Sequence, residues 1–249
     1  MLEPSALLLA LLFAAVAILY GSVGHAGASA YLAAMALVGV DASVMKPTAL
    51  VLNILVATLV TARFARAGFV KPKALLPFLV GSVPAAFVGG AVQLPGEIYR
   101  PLVGIVLLWA GFRFLAVASQ ANEEFAPRAA WWQALIAGVV LGLLAGLTGT
   151  GGGIFLTPLM VMLGWAGVRY AAGTSAAFIL ANSISGLAGN IGTLGLTALP
   201  AGLPLWLVAV AGGGMIGAEL GARRLTPQGV RRALGLVLIL AGLKIIVVP

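Results

Sequence analysis

The sequence predicts an all-α polytopic membrane protein of two inverted-topology repeats, each with about five transmembrane or half-membrane segments. Three observations predict it. The 249-residue chain is 62% hydrophobic and only 8% charged. Residues 129–168 and 170–218 hold no charged side chain over 40 and 49 positions, whereas a helix needs only about 20 apolar residues to cross the hydrocarbon layer. Finally, the glycine-rich run at 21–27 returns at 146–153, both times inside a long apolar stretch.

This composition leaves no room for a sizeable soluble domain. A net charge of +8 would suggest nucleic acid in a soluble chain. Here the basic residues fall in short loops between apolar segments, so the expected partner is the lipid bilayer and not nucleic acid. With no cysteine, disulfides and thiolate metal sites are excluded. No metal and no cofactor is expected.

Taken in order, the first apolar segment, 5–20, belongs to the fold. Met1-Leu2-Glu3-Pro4 lacks the basic start of a signal peptide, and the segment matches 134–145 in the second half. The glycine run follows, and then segments 28–40, 48–64, 74–93 and 99–116. Residues 1–118 form the first repeat, and 119–130, with Asn122-Glu123-Glu124 and Pro127, a polar linker. The second repeat, 131–249, holds segments 131–147, 153–165, 174–192, 202–221 and 229–247. Gly39 pairs with Gly164, Thr48 with Thr174, Pro77 with Pro204, Gly90 with Gly217, Gly104 with Gly235 and Gly111 with Gly242. Segments 28–40 and 153–165 are short for a full crossing and are expected to be tilted, half-inserted or hairpin-paired.

Charge sets the orientation, because short cytoplasmic loops collect Lys and Arg. Arg63, Arg66, Lys71 and Lys73 follow the third segment, while the equivalent loop 193–201 is uncharged. The next loop reverses this: 94–98 has no Lys or Arg, and its counterpart is flanked by Arg223, Arg224, Arg231 and Arg232. That swap implies an odd number of crossings per repeat, hence inversion. Eleven basic residues then face the cytoplasm, and Lys46, Arg100 and Lys244 face outward, with both termini outside. Trp131, Trp132 and Trp165 at segment ends read as interfacial anchors.

Gly146-Leu-Thr-Gly-Thr-Gly-Gly-Gly-Ile-Phe-Leu-Thr-Pro-Leu159, Gly173-Thr-Ser175 and Gly217-Ala-Glu-Leu-Gly-Ala222 resemble motifs of the TauE/SafE sulfite exporter family. The resemblance spans essentially the whole chain. The first repeat departs from it, with Gly-His-Ala-Gly-Ala-Ser at 24–29 and Ala33 where the second repeat has Pro158. The resemblance implies transport of a small anion (sulfite, a sulfonate, or a related sulfur or carboxylate anion) across the plasma (inner) membrane.

The breaks themselves suggest how an anion would be held. Adjacent glycines disfavour a helix by about 1 kcal/mol each relative to alanine. Irregular backbone persists at membrane depth only where protein or a water-filled cavity receives its polar groups. Gly24 and Gly27 in the first break, and Gly149, Thr150, Gly151, Gly152 and Gly153 in the second, would offer N–H donors. The positive ends of two half-helices would add to them, suiting an anion without a buried cation. Ser29, Asn53 and Asn182 are further candidate contacts. Thr48, Thr174 and Ser175 join them, though they follow expected helix starts at Pro47 and Gly173, where capping competes with ligand contact. Ser183, Ser185 and Asn190 are expected to bond between helices, and Gly138, Gly142 and Gly146 to form a packing ridge.

Two groups are candidates for coupling to protons. His25, the single histidine, is the first. Glu219, four residues before Arg223, is the second and also fits a helix-end ion pair. The reading is a carrier with its site between the two breaks and not an enzyme. An anion channel is the nearer alternative. An intramembrane serine hydrolase built on Ser29 and His25 is the remote one, because the second repeat has Ile154 at the serine position. Gly212-x-Gly214-x-x-Gly217 has dinucleotide-binding spacing but no preceding strand, and the 146–153 run lacks a P-loop lysine.

Overall fold

A computed structural model of the chain describes residues 4–22, 27–116, 126–195, 199–223 and 227–247. They form ten helices and, among the described residues, no strand: α1 Pro4–Ser22, α2 Ala28–Val38, α3 Ala42–Arg66, α4 Pro72–Ala91, α5 Gly96–Ala116, α6 Trp131–Thr148, α7 Gly153–Met162, α8 Val168–Leu194, α9 Leu203–Arg223 and α10 Pro227–Val247. Each coincides with one expected segment. By length and composition α3, α4, α6 and α8 are apolar enough to cross a membrane. At 11 and 10 residues, α2 and α7 rise only about 15 Å, half the ~30 Å hydrocarbon thickness. Trp131 and Trp132 are exposed at the start of α6, as anchors at an interface would be.

Two helices begin earlier than their sequence suggests. α3 starts at Ala42, so Pro47 lies inside it, and Asp41 caps it by accepting the Ser43 N–H at 2.8 Å. α8 starts at Val168, so Gly173 is also internal. Thr48, Thr174 and Ser175 are therefore interior positions and not caps. Proline removes one helical hydrogen bond, a loss that packing on both sides of α3 outweighs.

Glycine decides which helices approach closely. Gly138, Gly142 and Gly146 make one ridge of α6. A Cβ on each would fall 2.3, 2.4 and 2.2 Å from the carbonyl oxygens of Phe78, Ser82 and Ala86 on α4. α4 and α6 therefore run parallel with their backbones touching. The other side of α4 meets α8, where a Cβ on Gly90 would lie 2.0 Å from Gly186 O, and the Ser185 hydroxyl donates to Val83 O at 2.6 Å. On the opposite side of the bundle α1 packs along α9, with Gly213 against Ala14 O and the Trp206 indole donating to Ala6 O. α5 packs on α10 in the antiparallel sense, Gly104 against Gly242 and Gly111 against Gly235. α3 lies against both α2 and α8.

Of the basic residues expected to face outward, two cap helix ends. Lys244 donates to Leu37 O at the end of α2. Lys46 is buried and donates to Gly90 O and Val92 O at the end of α4, a favourable place for a cation.

The packing yields a paired prediction. Gly142→Ala should cost about 1–3 kcal/mol through overpacking. Gly212→Ala, where a Cβ meets nothing within 4 Å, should be neutral or stabilising by up to about 1 kcal/mol from helix propensity. Thermal unfolding of the two variants in detergent measures the contrast.

Candidate functional site

Between α6 and α7 the chain turns through Gly149, Thr150, Gly151 and Gly152. Gly149, Gly151 and Gly152 have φ of 82°, 72° and 78°, the left-handed region that costs an L-residue about 1–2 kcal/mol. This conformation turns donors away from regular pairing. Gly149 N–H still bonds Ala145 O, but Thr150 N–H reaches only Thr148 Oγ1, at 3.4 Å. Among the described residues, the N–H groups of Gly151, Gly152, Gly153 and Ile154 have no hydrogen-bond acceptor. They lie at the N-terminus of α7, where the helix dipole adds partial positive charge.

Two long helices wall this turn. A Cβ on Gly151 would sit 2.9 Å from Asn53 Nδ2 of α3 and 3.0 Å from Ser183 Oγ of α8. On Gly153 it would lie 2.4 Å from the Ile179 side chain and 3.1 Å from Ser175 O. The Asn53 amide reaches Ser183 Oγ only at 3.5 Å, the outer limit of a hydrogen bond, and Asn53 Oδ1 has no partner in the protein. Asn182, beside Ser183, is fully buried with both amide atoms unpartnered, and the buried hydroxyls of Thr48 and Thr174 are unpartnered too. Buried polar atoms are nearly always paired, and leaving one unpaired costs about 1–3 kcal/mol. Their concentration on α3 and α8 marks a polar interior beside the break.

Other candidates hold the frame. Thr157 donates to Ser175 at 2.8 Å and ties α7 to α8. The Thr148 hydroxyl gives its proton to Leu144 O, so in the 2.9 Å contact between the two hydroxyls Thr150 is the donor.

The first break differs. Gly27 has φ 88° and opens α2, and a Cβ there would meet the rings of Tyr20 and Tyr31 at 3.3 Å. Ser29 Oγ lies 2.9 Å from Tyr20 OH, and Tyr31 OH is buried without a partner. Gly24 and His25 lie outside the described residues, as does the side chain of Glu219. Thus Asn53, Ser175, Gly151 and Gly153 come together at the second break, while Gly27 and Ser29 form a separate group. α3 is the helix that touches the partners of both.

Several contributing residues escaped sequence reasoning. Tyr99 donates to Thr148 O at 3.0 Å, just before the break, and Lys46 packs its backbone and stem on Gly149, whose Cβ would lie 3.1–3.3 Å away. A solitary lysine one residue before Pro47 was the available signal for Lys46. Ser183 was read only as an interhelical bond, and Tyr20, Tyr31 and Tyr99 carried no spacing cue. The Asp41 carboxyl is held below the usual carboxylate range, first by the Ser43 hydroxyl, then by the Ser43 N–H and by attraction to Arg100.

A family model described as "Sulfite exporter TauE/SafE" matches residues 8–245. The "Probable membrane transporter protein y4hK" of Sinorhizobium fredii is 39% identical over 248 residues, covering 98% of this chain and 100% of that protein. No solved structure gives a significant match.

Comparing two left-handed glycines separates strain from crowding. Gly39→Ala, at φ 83° with nothing near its Cβ, should lose only the roughly 1–2 kcal/mol of backbone strain. Gly151→Ala should lose more, because Asn53 and Ser183 must also move. Equal shifts in thermal midpoint would show that Gly151 approaches nothing.

Proposed function

This chain belongs to the sulfite exporter TauE/SafE family, and from that premise we propose that it is a secondary transporter for a small anion: sulfite, a sulfonate, or a related sulfur or carboxylate anion. The observation that carries this reading is the second break. Four N–H groups at the start of α7 lack an acceptor among the described residues, and the Asn53 NH₂ group and the Ser183 hydroxyl stand 2.9 and 3.0 Å from where a Cβ on Gly151 would lie. Donors of that kind replace the hydration shell of an oxyanion without a formal positive charge. Asn182, Thr48 and Thr174 add unpartnered buried polar atoms on α3 and α8, and Gly24, His25, Gly27 and Ser29 of the first break complete the set of candidate contacts. In this reading His25 carries a coupling proton and Glu219 is the reserve.

We further propose that residues 1–118 and 131–249, joined by the linker 119–130, are inverted repeats in the plasma membrane with both termini outside. The helix pairings support this. Exchanging each helix with its counterpart five places on turns the α4 and α6 pair into α9 and α1, both parallel, and leaves the α5 and α10 pair unchanged. Gly104 and Gly235 are counterparts, as are Gly111 and Gly242. Gly104 touches Gly242 and Gly111 touches Gly235, the exchange expected across a two-fold axis. Counterparts that run antiparallel place that axis in the membrane plane, as alternating-access carriers use it.

The inversion is tested by single cysteines at Ala67 and Ala201, labelled with an impermeant maleimide. The expected result is access from opposite sides, and labelling of both from one side overturns it. The site is tested in proteoliposomes with sulfite as the probe. Gly152→Leu, whose side chain would enter Phe178 and Leu141, should abolish uptake. Asn53→Ala should weaken apparent affinity about tenfold or more, the value of one hydrogen bond to a charged ligand. His25→Gln should flatten the pH dependence, since a protonated histidine favours the anion and that advantage is lost as pH rises. Wild-type uptake by Gly152→Leu would overturn the assignment of the break.

A further inference from the structure

A pocket of about 300 Å³ lies beside the second break, its lining including Asp41, Ser43, Lys46, Gly96, Tyr99 and Arg100. Two of its walls lead inward. Tyr99 is bonded to Thr148 O, and the stem of Lys46 covers Gly149. The pocket is therefore joined to the turn through α3 and α5, and does not depend on any residue already assigned to the anion.

Its charge is unequal. Asp41 spends its carboxylate on the Ser43 N–H and hydroxyl and lies close enough to Arg100 for mutual attraction. Lys46 is only 4% exposed, and the partners of its ammonium are two carbonyl oxygens, Gly90 O at 3.0 Å and Val92 O at 2.7 Å. Carbonyls orient an ammonium without cancelling its charge, and one of its three donors stays unassigned. Two cations against one carboxylate leave the pocket one charge positive.

We propose that this pocket is an anion-admitting vestibule, in which Lys46 supplies the attracting charge and a small oxyanion or carboxylate pauses before reaching the glycine N–H groups. The inference rests on the assignment of the break as the substrate site. A low-dielectric cleft whose net charge has one sign raises local counter-ion concentration by about tenfold or more, so the vestibule sets the capture rate while the break holds the anion.

The full chain has no cysteine, which allows a charge-ratio test. Gly96→Cys places a thiol on the pocket rim, where a Cβ meets nothing within 4 Å. It is reacted with sulfonatoethyl and with trimethylammonioethyl methanethiosulfonate, each rate normalised to a free thiol. The anionic reagent should react about tenfold faster. Lys46→Gln should bring the ratio close to one. If that variant does not accumulate, Arg100→Gln removes the same net charge and should do likewise. Asp41→Asn, which keeps a capping side chain, should raise the ratio. In sulfite uptake, Arg100→Gln should raise KM about tenfold with the maximal rate retained. A parent ratio near one, a ratio indifferent to Arg100→Gln and Asp41→Asn, or an unchanged KM overturns the vestibule. Gly152→Leu leaves the labelling ratio intact in either case, so failure of the break as substrate site is read separately.

Discussion

A peptide group in hydrocarbon has no water to turn to, and that constraint governs this architecture. Helices α1 and α6 each stop and restart inside an apolar stretch, which leaves donors and acceptors that must be enclosed. Around the second break α3 and α8 bring Asn53, Ser175 and Ser183, and α5 brings Tyr99 to the carbonyl of Thr148, the last residue of α6. The enclosure requires close neighbours, and closeness is obtained by removing side chains. α4 touches α6 through Gly138, Gly142 and Gly146, and touches α8 through Gly90 and Gly189. In lipid, such backbone contact supplies the packing that water-driven burial supplies elsewhere. The glycines on α6 and those after it thus serve opposite ends: in the helix they permit contact, and in the turn they permit left-handed backbone.

All ten elements were legible in the sequence because apolar runs of this length are punctuated by glycine, proline and charge. The starts of α3 and α8 were not. Pro47 and Gly173 look like boundaries locally, yet both are internal, because buried neighbours on two sides outweigh a missing hydrogen bond and a poor helix former. Local punctuation carries little weight where tertiary contact is dense.

The site was legible in part. The glycine break announces itself by spacing, and asparagine in an apolar helix stands out, so Asn53, Asn182 and Gly149–Gly153 were within reach. Lys46 and Tyr99 meet the break from elements distant in sequence, and no periodicity records that convergence. Charge counting assigned Lys46 only a side of the membrane and not a partner, and its head is directed to the carbonyls that end α4. A lysine stem can be buried while its ammonium reaches polar atoms at a helix end, and only the fold shows which helix end that is.

Among the described residues the two breaks differ in chemistry. At Gly27 the space is occupied by Tyr20 and Tyr31, and the nearby hydroxyl of Ser29 is paired with Tyr20. At Gly151 the neighbours are an amide and a hydroxyl, with an unpartnered oxygen behind them. Large rings fill volume and offer few donors, whereas bare backbone does the reverse. Among the described residues, the backbone donors without an acceptor stand on the α7 side, next to the buried charge of Lys46.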